Sequence, residues 1–230
     1  MATFLDLVNS ARVECGVSRG TTDDLTTLVG VSGELLRIKG WVNQSWKDIQ
    51  RKHSNWEFLR ASFTFPTVAS QQAYTAAQAG AMNWGKWIPT TFRCRVTSLG
   101  YTTELFLGEW GWEDFRNLYQ FGAQRTVVGR PVVFSISPNK SINLGPLPNA
   151  TGYTVTGDYF TRALDLSANT DVPTLPDQFV EIIVHKTKIY YGQSEGASEV
   201  FDAGTADYKR MMSELELDQL PDIDLGGPML

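Results

Sequence analysis

Apolar residues along this chain recur in two rhythms, helical at both ends and alternating in the middle. Near the start, Phe4, Leu5, Val8, Ala11, Val13 and Cys15 supply the apolar positions of a short amphipathic helix over residues 3–15. Thr3 is placed to cap this helix and Gly16 to end it. Residues 17–31 are polar and β-branched, with a turn at Thr21-Thr22-Asp23-Asp24, and read either as a contact loop or as a plain connector. From Gly33 to Phe58 a longer stripe follows, made by Leu35, Ile38, Trp41, Val42, Ser45, Trp46, Ile49 and Trp56, with Ser32 in position to cap it. Gly40 weakens that helix by about 1 kcal/mol relative to alanine if exposed, and leaves room for a neighbouring helix.

After Leu59 the period drops to two. Ser62-Phe63-Thr64-Phe65 reads as a strand stopped by Pro66, and residues 67–83 as a long loop or hairpin tip. Ile88-Pro89 and Phe92–Leu99 form the next strand, Thr103–Leu107 a further one, and Glu109–Tyr119 one short helix. Pro131–Ile136 pairs with Ser141–Leu144 as a hairpin through Pro138-Asn139-Lys140. Tyr153, Val155, Gly157 and Tyr159 alternate with Thr154, Thr156, Asp158 and Phe160 in a last strand that closes the sheet.

A polar linker with Pro173 and Pro176 then returns the chain to the helical period. Phe179, Ile182, Ile183, Lys186, Ile189 and Tyr190 mark a helix ended by Gly192, and residues 195–219 a second one. Its stripe of Ala197, Phe201, Gly204, Tyr208, Met211 and Leu215 is close to a heptad and needs a partner surface. The expected fold class is α+β, a helical bundle formed by N- and C-terminal helices with an inserted, mostly antiparallel β domain. The expected division is 1–59 for the N-terminal helices, 60–162 for the β domain, 163–220 for the C-terminal helices and 221–230 for an extended tail.

Composition adds limits rather than a function. The chain has 230 residues, 42% hydrophobic and 20% charged, which suits a packed protein and argues against wholesale disorder. Seven tryptophans favour large buried contacts or subunit interfaces. A net charge of −5 argues against a protein that coats nucleic acid, yet leaves room for a negative channel along which DNA slides without sticking. Two cysteines, Cys15 and Cys94, complete neither a disulfide scaffold nor a zinc site and read as buried thiols, although one bridge is conceivable. The first residues lack the basic region and apolar run of a signal peptide, and no apolar stretch approaches the roughly 20 residues that span a bilayer. A reducing cytoplasm is the expected place of synthesis.

The chemistry-bearing residues form no recognised motif. His53 and His185, the two histidines, have no His-Glu-x-x-His or nucleophile-elbow context, so both read as structural; a hydrolase using either with a nearby carboxylate has no motif behind it. Phosphate-cradling glycine patterns are missing, and Glu109 and Glu113 read as a solvated face. Trp84, Trp87, Trp110 and Trp112 allow two readings: rings that stack on sugars, which would make a carbohydrate-binding or adhesive β module, or rings packed in a core or between subunits. Arg93, Arg95, Arg116, Arg125 and Arg130 either line a DNA path or pair with a neighbour's acidic helix. No catalytic, cofactor or metal residue is assigned.

Order and pattern carry a resemblance. A Tyr153-x-Val155-x-Gly157-Asp158-Tyr159-Phe160 strand, a Pro173-x-x-Pro176 linker, a helix, and a second helix ending Leu215-x-x-Asp218-Gln219-Leu220-Pro221 resemble the C-terminal half of tailed-bacteriophage head–tail adaptor (connector, neck) proteins. The run Trp41–Gln50 with Asn55–Leu59 resembles that family's first long helix. The likeness spans roughly residues 1–220 and lies in patterns, not in a chemical motif.

What the resemblance implies is a structural virion protein, not an enzyme, with no cofactor. It implies a ring, commonly of twelve copies, under the portal at the capsid vertex. That ring extends the channel for packaged double-stranded DNA without binding it specifically, and joins the next neck or tail protein. The implied location is the capsid–tail junction of the virion, after assembly in the host cytoplasm. The tail, with Leu220, Pro221, Ile223, Leu225, Pro228, Met229 and Leu230, would dock on the portal. Trp41, Trp46, Trp56, Phe201, Tyr208 and Met211 would serve core or inter-copy packing.

Overall fold

The computed structural model describes residues 1–18, 23–149 and 152–221. Its helices are α1 (Phe4–Glu14), α2 (Gly33–Lys52), α3 (Trp112–Tyr119), α4 (Glu181–Glu195) and α5 (Ser198–Gln219). Its strands are β1 (Arg60–Pro66), β2 (Ala73–Tyr74), β3 (Trp84–Val96), β4 (Leu105–Phe106), β5 (Gly108–Glu109), β6 (Val128–Gly129), β7 (Val133–Ile136), β8 (Ile142–Gly145), β9 (Leu147–Pro148) and β10 (Tyr153–Thr161). The fold is α+β, with helices from both ends of the chain flanking a β region. Backbone contacts separate two compact units, one of Met1–Leu59 with the chain from Ala163 onward, the other of Arg60–Arg162. Among the described residues no helix is long and apolar enough to cross a membrane.

In the helical unit, α1 begins as its sequence demands. The Thr3 N–H donates to the Asp6 carboxylate at 2.8 Å and the Asp6 N–H donates back to the Thr3 hydroxyl at 3.2 Å, so two orphan donors of the first turn are satisfied reciprocally. Ser32 differs from expectation: its backbone is extended as a cap requires, but its side chain makes no capping bond to α2. The described part of the connector before it is tied down at Asp23 and Leu28, since the buried Arg12 donates to the Asp23 carbonyl at 3.0 Å and Leu28 is buried.

The expected helix over 33–58 ends at Lys52, where His53 turns extended. The helical period of the sequence outlasts the helix because Trp56 re-enters the same core by another route. Its indole N–H donates to the Ile49 carbonyl at 2.9 Å, satisfying an acceptor of the last turn of α2. Polar side chains of α2 also hold the linker that follows the β unit. Gln50, buried, donates to the Leu164 carbonyl at 3.0 Å and accepts from the Leu164 N–H at 2.9 Å, while Asn43 accepts from Leu166 at 2.8 Å.

The helix expected to stop at Gly192 runs on to Glu195, and Gly196 caps it with a left-handed φ of 67°. Gly192 is there for contact instead. A Cβ at that position would stand 2.7 Å from the Phe201 Cβ and 2.8 Å from its backbone nitrogen, so α5 passes directly over the missing side chain. Gly204 does the same from the other side, with the Lys188 Cβ 2.8 Å from where its own Cβ would stand. Gly40, by contrast, has nothing within 4 Å of that position, so none of the described helices uses the room it leaves.

The β unit stacks its aromatic side chains between two four-stranded sheets, ordered β1-β10-β3-β4 and β2-β8-β7-β5, with β6 and β9 pairing separately. Pairing is antiparallel except for β5 with β7 and β6 with β9. The strand expected to close the sheet, β10, lies in its middle, between β1 and β3. Gly157 at its centre makes way for two core rings, since a Cβ there would come within 2.6 Å of Phe92 and 2.9 Å of Phe63. The strand β3 continues through Pro89 because the ladder shifts register there: Asp158 pairs with Ile88 and Thr156 with Arg93, so no ladder bond is asked of the proline nitrogen.

Three other boundaries differ from the sequence pattern. The strand expected to reach Leu99 stops at Val96, followed by a tight turn over Thr97–Thr103. Gly108–Glu109 pairs with Val133–Phe134, so α3 begins only at Trp112. The stretch 67–83 is not bare loop, for it carries β2, whose Tyr74 is buried and donates its hydroxyl to the Val68 carbonyl.

Candidate functional site

Burial pushes the Cys15 thiol up to about 12 and raises that of Cys94, so neither is a ready thiolate. His185 lies half-buried on α4; burial holds its pKa below the ordinary value, and the nearest carboxylate, Asp207 on α5, stands 4.0 Å away. Among the described residues no group of three or more His, Cys, Asp or Glu side chains is placed to hold a metal.

His53 and Lys52, at the end of α2, both reach Glu216 of α5, at 2.8 and 2.9 Å. The hydrogen bond from His53, then the Lys52 ammonium, holds the Glu216 carboxyl below its ordinary value of 4.5. A lowered carboxylate stabilises the fold fully above its unfolded value and stops doing so as the pH falls through the folded one. Glu216→Gln is therefore expected to cost about 1 kcal/mol at pH 7, with the difference shrinking below pH 4.5. Urea unfolding of both proteins at pH 7 and pH 3 checks this.

The residues expected to pack are divided by burial. Trp46, Trp56 and Met211 are buried in the helical unit, while Trp41, Phe201 and Tyr208 are partly exposed. Trp41 meets Tyr191 edge-on at 6.2 Å, with the Arg37 guanidinium 5.6 Å over its ring. Of the tail residues, Leu220 is half-buried and donates its N–H to the Glu216 carbonyl at 3.1 Å, and Pro221 is exposed. Ile223, Leu225, Pro228, Met229 and Leu230 lie outside the described residues.

The four tryptophans weighed for sugar stacking fall into two clusters. Trp84 and Trp87 meet at 5.4 Å, and the Trp87 indole is buried with its N–H donated to the Lys140 carbonyl. Trp110 lies beside Tyr119 and Trp112 beside Phe115. The five arginines are also dispersed. Arg130 is spent inside the unit on the carbonyls of Cys94 and Thr103. Arg116 lies 3.6 Å from Glu113 and over the Phe121 ring, and Arg125 sits in the short turn Ala123–Thr126.

Arg93 and Arg95 alone share a surface. Both point outward from β3 into an open groove of about 770 Å³ on the outer face of the β1-β10-β3-β4 sheet. Threonines of the three long strands floor it, and Arg60 with its partner Asp158 borders one side. Tyr101, which falls between two expected strands, and Phe106, inside the second of them, stand over Arg95 and Arg93 at 4.0 and 4.3 Å. The sequence signal for them is slight: an Arg-x-Arg pair on a strand, followed by aromatic residues that only a return of the chain brings back. In the helical unit a second open groove, of about 720 Å³, gathers Asp6, Glu14, Asp24, Asp177 and Glu181 around the start of the chain.

The family model described as SU10 adaptor protein matches residues 2–227. No curated protein matches the chain.

Proposed function

The chain belongs to the SU10 adaptor protein family, a family of structural phage adaptors, and on that premise we propose that it works as a closed ring between head and tail. Twelve copies sit beneath the portal, lengthen the channel for packaged double-stranded DNA, and receive the next neck or tail protein. The place of action is the capsid–tail junction of the virion, reached after assembly in the host cytoplasm. The mechanism is binding, with no bond made or broken. The observation that carries this reading is family membership over nearly the whole chain.

The physical character of the molecule supports it. A −5 chain repels the phosphate backbone, which suits a channel that DNA must slide through. Large apolar side chains stand exposed in both units, among them Leu36 and Leu217 on helices and Tyr101 and Phe106 in the β unit, and inter-copy contact would cover them. Obligate ring contacts commonly bury more than about 2,000 Å² and are rich in apolar surface. A carbohydrate-binding module gains less support, because the indoles it needs are split between two clusters, with Trp87 buried, Trp84 and Trp112 partly buried and Trp110 exposed.

In this reading the C-terminal tail docks on the portal. Removal of residues 221–230 is expected to leave a folded protein, with helix content and thermal midpoint unchanged, that no longer attaches to portals or to filled heads. Pull-down on isolated portal rings measures it. A truncated chain that still joins heads normally defeats the docking role of the tail.

A further inference from the structure

The groove on the outer face of the β1-β10-β3-β4 sheet contains one unmatched charge. Arg93 has Glu104 at 3.0 Å and Arg60 has Asp158, but Arg95 has no carboxylate within ion-pair reach among the described residues. Its Nε is buried and finds no hydrogen-bond partner there. The guanidinium stacks on Tyr101, which is 75% exposed, and Arg93 stacks on Phe106, which is 63% exposed. An arginine held flat against an aromatic ring with no counter-ion is built to receive a carboxylate. Arg, Tyr and Phe set together in the open are also the composition of an interface centre.

The complement is on α5. Glu214, Leu217 and Asp218 fall at i, i+3 and i+4, so they share one face. Leu217 is 84% exposed. The Asp218 carboxylate accepts from the Gln219 side chain at 2.8 Å and has no cation within ion-pair reach among the described residues. Glu214 already has Arg210 at 3.5 Å, so Asp218 is the carboxylate of this face left for an outside cation.

Resting on the ring reading above, we propose that Leu217 and Asp218 of one copy dock into the Arg95–Tyr101–Phe106 site of the next. Asp218 neutralises Arg95, and Leu217 lies against the two rings. Two different patches of the same chain make a heterologous contact, the kind that repeats around an axis and closes a ring. A DNA backbone fits the groove less well. Glu104 and Asp158 already occupy two of its three guanidiniums, whereas phosphate binding is built from several free cations, and the rings and the exposed leucine have no role in it.

The test uses the full chain in three forms, wild type, Arg95→Glu and Asp218→Arg, with self-association read by sedimentation and native mass spectrometry, alone and on portal rings. Each variant is expected to associate at least about tenfold more weakly than wild type, because each sets like charges together at every contact. Mixed one to one, they are expected to recover association and to form oligomers in which the two alternate, since every Arg95→Glu site then meets an Asp218→Arg helix. Unchanged thermal midpoints exclude unfolding as the cause. If wild type assembles and both variants do so equally well, or if the mixture is no better than either alone, the contact is wrong while the ring stands. If wild type never assembles, the ring reading fails and takes this contact with it. Loss of double-stranded DNA retention in Arg95→Glu, with association intact, assigns the groove to nucleic acid and overturns the proposal.

Discussion

Trp56→Ala is expected to destabilise the helical unit by about 3–5 kcal/mol, the usual cost of emptying a buried aromatic site. Trp56 is 0% exposed, and its ring stacks on Phe58 at 5.4 Å and meets His53 edge-on at 4.9 Å. Its N–H satisfies the Ile49 carbonyl, so alanine leaves both a cavity and an unpaired acceptor at the end of α2. In a chain of this length each kcal/mol moves the midpoint by about 2–4 °C, so thermal unfolding followed at the helix band should fall by about 10 °C. A fall of less than about 3 °C would mean that the indole is not the plug the geometry makes it.

Gly192→Val is expected to force α4 and α5 apart. The first atom added would stand 2.7–2.9 Å from the Phe201 Cβ, nitrogen and Cα, and two of those three are main chain that cannot rotate away. Overpacking of this kind costs about 1–3 kcal/mol where side chains can yield, and more where backbone must move. Gly40→Ala makes the contrast of sign. It lies on α2 with open space at its Cβ position, so alanine should stabilise the helix by up to about 1 kcal/mol. Urea midpoints of the two variants should therefore move in opposite directions. Midpoints that move together would contradict the close crossing at Gly192.

The same glycine shows where sequence reading ran out. Gly192 looks like a helix stop because glycine is a poor helix former and a common C-terminal cap, and the cap is indeed a glycine, Gly196, four residues on. Which of two nearby glycines ends a helix and which lets a second helix pass depends on the partner surface, which periodicity does not carry. Trp56 misled in a related way, being in phase with α2 and in the same core without being in the helix.

Features set by local chemistry were legible. The Thr3 cap, the alternation of β10, the hairpin of β7 with β8 and the stripe of α5 all follow from residues near in sequence. The order of strands was not, since placing β10 between β1 and β3 rests on the fit of Phe63 and Phe92 around Gly157. The pairing of Arg95 with Tyr101 was hidden for the same reason. It depends on the tight turn after Val96 that brings the ring back over the strand, a turn the sequence pattern read as more strand.

Locating this chain in a reconstruction of the intact particle tests the central claim most directly. The account predicts a closed annulus of identical copies beneath the portal, coaxial with the DNA, with α5 of each copy against the β unit of its neighbour. Copies found scattered over the capsid shell or confined to fibre tips, or density at the neck built by another protein, would contradict it.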